Sequence, residues 1–195
     1  MKVLAISGSP RKESNTVILL NKVLEPIKKA GIECELLPLS GLKIFGCTAC
    51  TGCRKEPQEF PRCVMETRDD FKGIIQKMID ADAIILGSPV YFGSATPEIM
   101  AVLHRSGYAI RGTQRQYLKG KIGAAVVSAR RAGHNFTLAQ LNFFFQINGM
   151  ITPGSTYWNM GFGGAAGEVE NDKEAMSTMG NLGENIVDLL KRLKG

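Results

Sequence analysis

The chain has 195 residues, 44% hydrophobic and 22% charged, with a formal net charge of +6. That is enough for one sizeable hydrophobic core, too short for two comfortable ones, and typical of a soluble globular protein. No apolar run reaches the about 18 residues a membrane helix needs, and the first strand begins at once without a signal-peptide pattern, so a cytoplasmic protein with no membrane partner is expected.

Val3-Leu4-Ala5-Ile6 marks a first strand over residues 2–7, and Leu20, Val23, Leu24 and Ile27 give a helical pattern over 15–30. Between them lies Ser7-Gly8-Ser9-Pro10-Arg11-Lys12-Glu13-Ser14-Asn15-Thr16. An apolar strand that empties into glycine and hydroxyl residues before a helix start is suited to an anion. Hydroxyls and unpaired backbone N–H groups can donate to phosphate oxygens, and the helix dipole favours negative charge. The loop has neither the G-x-x-x-x-G-K-[ST] nor the G-x-G-x-x-G spacing, so a single monophosphate held mainly by hydroxyls fits better. The competing reading is that Ser14 or Asn15 only caps the helix.

Gly31 then leads to a second strand over 33–39 that contains Cys34, which reads as a buried inert thiol. Residues 40–66 form a long loop holding the other four cysteines, and a structureless stretch of that length usually carries function. A helix over 68–81 precedes the buried strand Ala83-Ile84-Ile85-Leu86-Gly87-Ser88. The loop Ser88-Pro89-Val90-Tyr91-Phe92-Gly93-Ser94-Ala95-Thr96-Pro97 follows, its two aromatics reading either as a ligand surface or as core, and then a helix over 98–108. After a polar connection at 109–120, a fourth strand over 122–127 opens into Ser128-Ala129-Arg130-Arg131-Ala132-Gly133-His134 and a helix over 136–147. A short fifth strand is expected at 150–153, then a glycine-rich segment with Tyr157 and Trp158. A last helix carries Met176, Met179, Ile186, Leu190 and Leu193 on one face.

Five alternations of strand and helix predict a doubly wound α/β domain with a five-stranded parallel sheet. The common order is 2-1-3-4-5, with a ligand crevice at the carboxyl ends of strands one and three, where loops 7–16 and 89–97 would meet. The positive charge is scattered, as in Lys28-Lys29 and Arg130-Arg131, with no basic run interleaved with aromatics. That argues against a nucleic-acid partner and suits small anions, a phosphorylated nicotinamide cofactor among them.

With these loops in view the sequence resembles the NADPH-dependent FMN reductase family of flavodoxin-like proteins. The resemblance rests on S-G-S-P-R-x-x-S-N-T at 7–16, S-P-V-Y-F-G-S-x-T at 88–96 with Arg105 following, and R-R-x-G at 130–133. It covers essentially the whole chain and implies one flavodoxin-like FMN-binding domain over residues 1–195. The resemblance also implies that Ser7, Ser9, Arg11, Ser14, Asn15 and Thr16 take the FMN phosphate. Pro89, Val90, Tyr91, Phe92, Gly93, Ser94 and Thr96 would lie along the flavin ring, and Ala129, Arg130, Arg131 and Gly133 would line its other side. Where relatives usually have an acidic residue this chain has His104, which is given no catalytic role.

Cys47, Cys50 and Cys53 follow at spacings of three, with Cys63 ten residues later. Three so closely spaced thiolates can converge on one [4Fe–4S] cube from a tight loop, with Cys63 as the fourth ligand, and Thr51 and Gly52 are small enough to permit the bend. Zinc and free thiols are the competing readings, zinc being disfavoured because its sites more often pair two separated C-x-x-C knuckles. The cysteine loop is similar to the compact motif of the iron–sulfur flavoproteins of this family, with a wider gap before Cys63.

The expected function is that of an FMN-dependent oxidoreductase. Electrons would come from NADPH or NADH and go to a flavin, quinone or other small-molecule or protein acceptor, with no general acid or base required because the flavin supplies the reactive atom. The alternative is an electron carrier exchanging with ferredoxin through the cluster. A third reading, a redox-sensing protein, rests only on exposed thiols. Finally, Phe143-Phe144-Phe145 span too wide an arc, at about 100° per residue, for all three to face one sheet. At least one must point outward, which suggests a homodimer or dimer of dimers with the flavin near a subunit boundary.

Overall fold

The computed structural model describes residues 1–55, 60–113 and 115–195; residues 56–59 of the cysteine loop and 114 of the polar connection lie outside the described residues. In chain order the elements are β1 (Lys2–Ser7), α1 (Asn15–Lys29), β2 (Glu33–Pro38), α2 (Ile74–Asp80), β3 (Ala83–Pro89) and α3 (Pro97–Gly112). They are followed by β4 (Ile122–Ala129), α4 (His134–Ile147), β5 (Met160–Phe162) and α5 (Lys173–Lys194). The strands form one parallel sheet in the order β2-β1-β3-β4-β5, with Val3 opposite Cys34 on one side and Ala83 on the other, and Ala83 opposite Ile122.

Alternation along the strands sorts the core into two layers, since successive side chains point to opposite faces. Leu4, Ile6, Ile84, Leu86, Ala125 and Val127 meet Met78 of α2, Val102 of α3 and Phe145 of α4. Val3, Ala5, Ile85 and Val126 meet Leu20 and Leu24 of α1 and Met179, Leu182 and Ile186 of α5. Both faces of β1, β3 and β4 are therefore covered, which is why those strands read as continuous apolar runs. At the opposite edge of the sheet from the long loops, Asp82 ties both chain ends together. Its carboxylate accepts the Lys2 backbone N–H at 2.8 Å and the Lys194 ammonium at 2.9 Å.

Three sequence expectations are corrected. The helix expected over 68–81 starts only at Ile74, because Asp69 and Asp70 turn their carboxylates back onto the chain. Asp70 accepts the Lys43 N–H and Asp69 the Phe45 N–H, each at 2.8 Å, and Gly73 enters the helix with φ 83. These carboxylates are committed to backbone 24 and 27 residues earlier in the chain, and such side-chain-to-backbone bonds compete with a helical turn. The fifth strand lies at 160–162 rather than 150–153. Ile151 makes only an isolated bridge to Ile122, and the chain rejoins the sheet where Val127 pairs with Met160. Pro153, which lacks an N–H, cannot extend that first contact into a ladder. The third correction is the end of the C-terminal apolar face, where Leu193 is exposed while Met179, Ile186 and Leu190 are buried. Beyond these, α3 continues to Gly112, four residues past its expected end at 108.

Helices α1 and α5 cross at Gly183, where an added Cβ would sit 2.2 Å from the Val23 carbonyl oxygen. Backbone cannot yield as a flexible side chain can, so Gly183→Ala is expected to destabilise the protein by about 1–3 kcal/mol. At Gly180, one turn earlier in the same helix, an added Cβ meets nothing within 4 Å. Gly180→Ala is expected to stabilise by about 0.5–1 kcal/mol through helix propensity. Urea denaturation of the two variants beside the parent checks the opposite signs.

Candidate functional site

The sheet order reverses between β1 and β3, and the chain leaves these neighbouring strands in opposite directions, opening a crevice at their carboxyl ends. The first and second loops are locked together there. The Thr96 hydroxyl donates to the Gly8 carbonyl at 2.6 Å, the Thr96 N–H reaches Ser88 Oγ at 3.1 Å, and the Gly8 N–H bonds the Gly87 carbonyl at 2.8 Å. A Cβ on Gly8 would fall 2.6 Å from Ile99 Cβ, so only glycine admits this approach. On the far side, Thr16 Oγ1 and Ser128 Oγ lie 2.8 Å apart, joining the start of α1 to the end of β4.

A cleft of about 130 Å³ results, and it gathers residues from four segments. Ser9, Arg11, Ser14, Asn15 and Thr16 come from the first loop, Pro89, Val90 and Tyr91 from the second, and Ala129 and Arg130 from the third, as expected from sequence. Ser128 also lines it, as do Gly163, Gly164 and Ala166 beyond β5. Those last three were missed; the G-F-G-G run at 161–164, glycines permitting close backbone approach, was the signal present in the sequence. None of the residues lining the cleft is acidic, and Arg11 and Arg130 stand at it, so it favours an anion.

The serines are arranged as donors. Ser7 Oγ accepts the Ser9 N–H at 3.4 Å, Ser9 Oγ the Arg11 N–H at 3.2 Å, and Ser14 Oγ the Val17 N–H at 3.3 Å. A hydroxyl whose oxygen accepts still has its proton to give. Ser14 is therefore the N-cap of α1 and lines the cleft as well, so the capping and ligand readings coexist. Asn15 is different. Its amide nitrogen donates to the Ala165 carbonyl at 2.9 Å, and its oxygen accepts the Gly167 and Val169 N–H groups at 3.0 and 3.4 Å. It acts chiefly as a strut for the 163–169 segment. Glu168 completes that segment by accepting the Ala165 and Gly164 N–H groups, which hold its carboxyl below the usual range.

Seven expected residues do not line the cleft: Ser7, Phe92, Gly93, Ser94, Thr96, Arg131 and Gly133. Residues 91–94 make a tight turn, with reciprocal Tyr91–Ser94 backbone bonds of 2.9 and 3.0 Å and positive φ at Phe92 (50°) and Gly93 (75°). That turn carries Phe92 into solvent, and Tyr91 is also exposed, so neither aromatic is core. Ser94 Oγ and the Ala95 N–H both donate to the Gln140 side-chain oxygen, at 3.0 and 2.9 Å, pinning the turn to α4. Gly133 packs under Val90, 2.7 Å from where its Cβ would be, with φ 95. His134 is buried with Nε2 3.2 Å from the Gly161 carbonyl, and burial pushes its pKa down, which keeps the ring neutral.

The second candidate site is the cysteine loop. Cys47, Cys50, Cys53 and Cys63 all line one small pocket together with Val64, Arg105 and Tyr108, so Cys63 lies beside the three earlier cysteines despite its distance in sequence. Ala49 and Thr51, lying between cysteines, have φ 52 and 58, a left-handed backbone that is costly for residues other than glycine and tends to mark functional loops. Gly52 seats this loop on the segment carrying Cys63, since a Cβ there would meet Val64 Cγ2 at 2.6 Å. All four thiols are free. Among the described residues no three His, Cys, Asp or Glu side chains are grouped to hold one metal ion. A Gly52 backbone bond draws the Cys50 thiol down, and burial pushes Cys53 up. Cys34 lies apart in the edge strand β2 and is half-buried rather than buried as expected; partial burial raises its pKa.

Arg105 reaches this pocket from α3, about 12 Å along the helix axis from the second loop. Its side chain is wholly buried and pairs with the equally buried Asp69. Burial alone would push the Asp69 carboxyl up, but the Arg105 bond and the Phe45 and Phe71 N–H groups outweigh it and hold the carboxyl below its usual range.

A parallel sheet of this order, with a carboxylate-free cleft at its switch point, defines a flavodoxin-like protein. Residues 1–165 match the NADPH-dependent FMN reductase family, and the chain belongs to that family. It is 37% identical over 201 residues to an iron–sulfur flavoprotein of Methanocaldococcus jannaschii, with both chains covered in full. It is 34% identical over 197 residues to an iron–sulfur flavoprotein of Methanosarcina thermophila, covering all of this chain and 97% of that one. Among solved structures, RosB with bound 8-demethyl-8-formylriboflavin-5'-phosphate superposes with a TM-score of 0.75 at 16% identity, over all of this chain and 80% of RosB. At that identity the likeness shows the fold.

Because Asn15 alone bonds three backbone groups of the 163–169 segment, Asn15→Ala is expected to cost about 1–3 kcal/mol. Thermal denaturation measures the loss, and amide hydrogen exchange should quicken at Gly167 and Val169 before it does in the sheet.

Proposed function

We propose that the chain is an FMN-dependent oxidoreductase that takes electrons from NADPH or NADH and passes them to a flavin, a quinone or another small-molecule or protein acceptor. The observation that carries this reading is the convergence of hydroxyl donors and Arg11 with the loops at Pro89–Tyr91 and Ala129–Arg130 in one cleft free of carboxylates. The family match supports it. Ser9, Ser14 and Arg11 would hold the phosphate, with Thr16 and Ser128 fixing the floor and Asn15 holding the 163–169 wall. Pro89, Val90 and Ala129 would offer apolar surface to the ring, with Tyr91 at the rim. FMN, when bound, supplies the chemistry by accepting and releasing electrons at its ring. The chain's own part is to bind, orient and exclude water.

The second reading is an electron carrier exchanging with ferredoxin, favoured by the four cysteines around one pocket and by the relatives' names. In a [4Fe–4S] cluster each thiolate ligates a different iron, so the sulfurs need not crowd round one ion, and a set drawn from Cys47, Cys50, Cys53 and Cys63 suits it. Such a centre would supply one-electron steps. One anaerobic experiment separates the readings. Protein reconstituted with FMN, iron and sulfide is expected to hold about four iron per chain and to bleach its flavin band with NADPH or NADH. A flavin that stays oxidised with both donors but is reduced by ferredoxin sinks the reductase reading, and under one iron per chain with four titratable loop thiols sinks the cluster. Ser9→Ala is expected to weaken FMN binding about tenfold, one lost charge-assisted hydrogen bond, and to leave riboflavin binding unchanged.

We also propose that the chain self-associates as a dimer or dimer of dimers. Phe144 and Phe145 are buried while Phe143, Phe136 and Ile147 stand exposed along α4. An open groove of about 420 Å³ between α3 and α4, lined by Leu103, Tyr108, Phe143 and Ile147, adjoins them. A second copy laying the same face into it would cover these groups. Analytical ultracentrifugation at micromolar concentration should show no monomer for the parent and monomer for the Phe143→Glu/Ile147→Glu variant; a monomeric parent refutes it.

A further inference from the structure

Arg105 is the largest fully buried side chain among the described residues. A buried guanidinium is costly unless its charge and its N–H groups are met. Its charge is met by Asp69, which is itself oriented by the Phe45 and Phe71 N–H groups at 2.8 and 3.3 Å. Nη1 also donates to the Phe45 carbonyl at 3.2 Å, and the guanidinium carbon lies 3.9 Å over the Phe71 ring centroid. These contacts would suffice for a structural ion pair, yet two groups remain outside them. Nε–H is directed at Cys63 Sγ, 3.4 Å away, and Nη2 is buried with no hydrogen-bond partner among the described residues. A neutral thiol is a weak acceptor, whereas a thiolate ligating iron is a strong one.

We propose that Arg105 acts through Cys63 to set the reduction potential of the cysteine centre. The N–H···S bond, backed by the uncommitted Nη2, favours the extra negative charge that a cluster carries once reduced, and so raises its potential. The inference rests on the reading of Cys47, Cys50, Cys53 and Cys63 as a [4Fe–4S] site. Hydrogen bonds to cluster sulfurs and local charge are the protein's main means of setting such potentials. Asp69 is a positioning residue here, fixing the fork so that Nε–H faces sulfur. The step concerned is a one-electron reduction in which no bond is made or broken, the electron coming from a reduced flavin in the protein or from dithionite in the test.

The test is an EPR-monitored potentiometric titration, with dithionite as reductant, of the reconstituted parent, Arg105→Lys, and the double variant Arg105→Gln/Asp69→Asn. Lysine keeps a charge for Asp69 but not the planar fork, and the double variant removes the buried charges together. Both variants are expected to load iron and sulfide as the parent does. The one-electron equilibrium should move about tenfold toward the oxidised cluster, about 59 mV lower in potential. Loaded variants whose potentials equal the parent's overturn the inference. Loss of iron from variants that still melt cooperatively overturns it too, since Arg105 would then hold the centre rather than tune it. A parent with under one iron per chain overturns the cluster reading itself, and the iron count keeps that failure separate from the other two.

Discussion

The contact on which the site depends is the buried hydrogen bond from Thr96 to the Gly8 carbonyl. Two loops that leave neighbouring strands in opposite directions would otherwise be free to spread, and their separation sets the width of everything a ligand meets. The bond is possible because Gly8 has no side chain to strike Ile99, and it is directional because Ser88 holds the Thr96 backbone. Thr96 thus lies outside the cleft's lining and helps to fix Ser9 and Tyr91 relative to each other. The sheet supplies the rest of the rigidity, since β1 and β3 are covered on both faces and cannot shift without breaking two cores.

The fold was legible because its signals are local. Buried strands ending in glycine and hydroxyl residues, alternating with amphipathic helices, leave few topologies open. What the sequence hid was nonlocal. Nothing near Asn15 says that its amide is used 150 residues away, so its part as a strut beside the cleft it lines was not foreseen. The missing start of the 68–81 helix has a similar cause, since Asp69 is an ordinary helix residue by composition and is diverted by Phe45 and Arg105. Ser128 was within the third loop from the start, but its role appears only once Thr16 is seen beside it. Chain spacing likewise gave no sign of how Cys63 meets the three earlier cysteines; Gly52 packed against Val64 brings its segment to them.

The two candidate sites are built by opposite means. The flavin cleft is a consequence of topology, and its residues sit on strand ends that the core holds in place. The cysteine pocket hangs outside the sheet on a long loop, and order there comes from a small number of costly features: left-handed backbone at Ala49 and Thr51, and the buried Arg105–Asp69 pair. Left-handed backbone at such residues costs of order 1–3 kcal/mol each and persists only where the surroundings fix it. Helix α3 joins the two regions, starting at the second loop and carrying Arg105.

Asp82 holds both ends of the polypeptide at the amino-terminal edge of the sheet, and the cleft opens at the carboxyl edge. The first strand and the last helix are accordingly joined on the side of the sheet that faces away from the cleft. A molecule fixed to an electrode through that face, by way of surface lysines such as Lys194, would turn its cleft toward the solution.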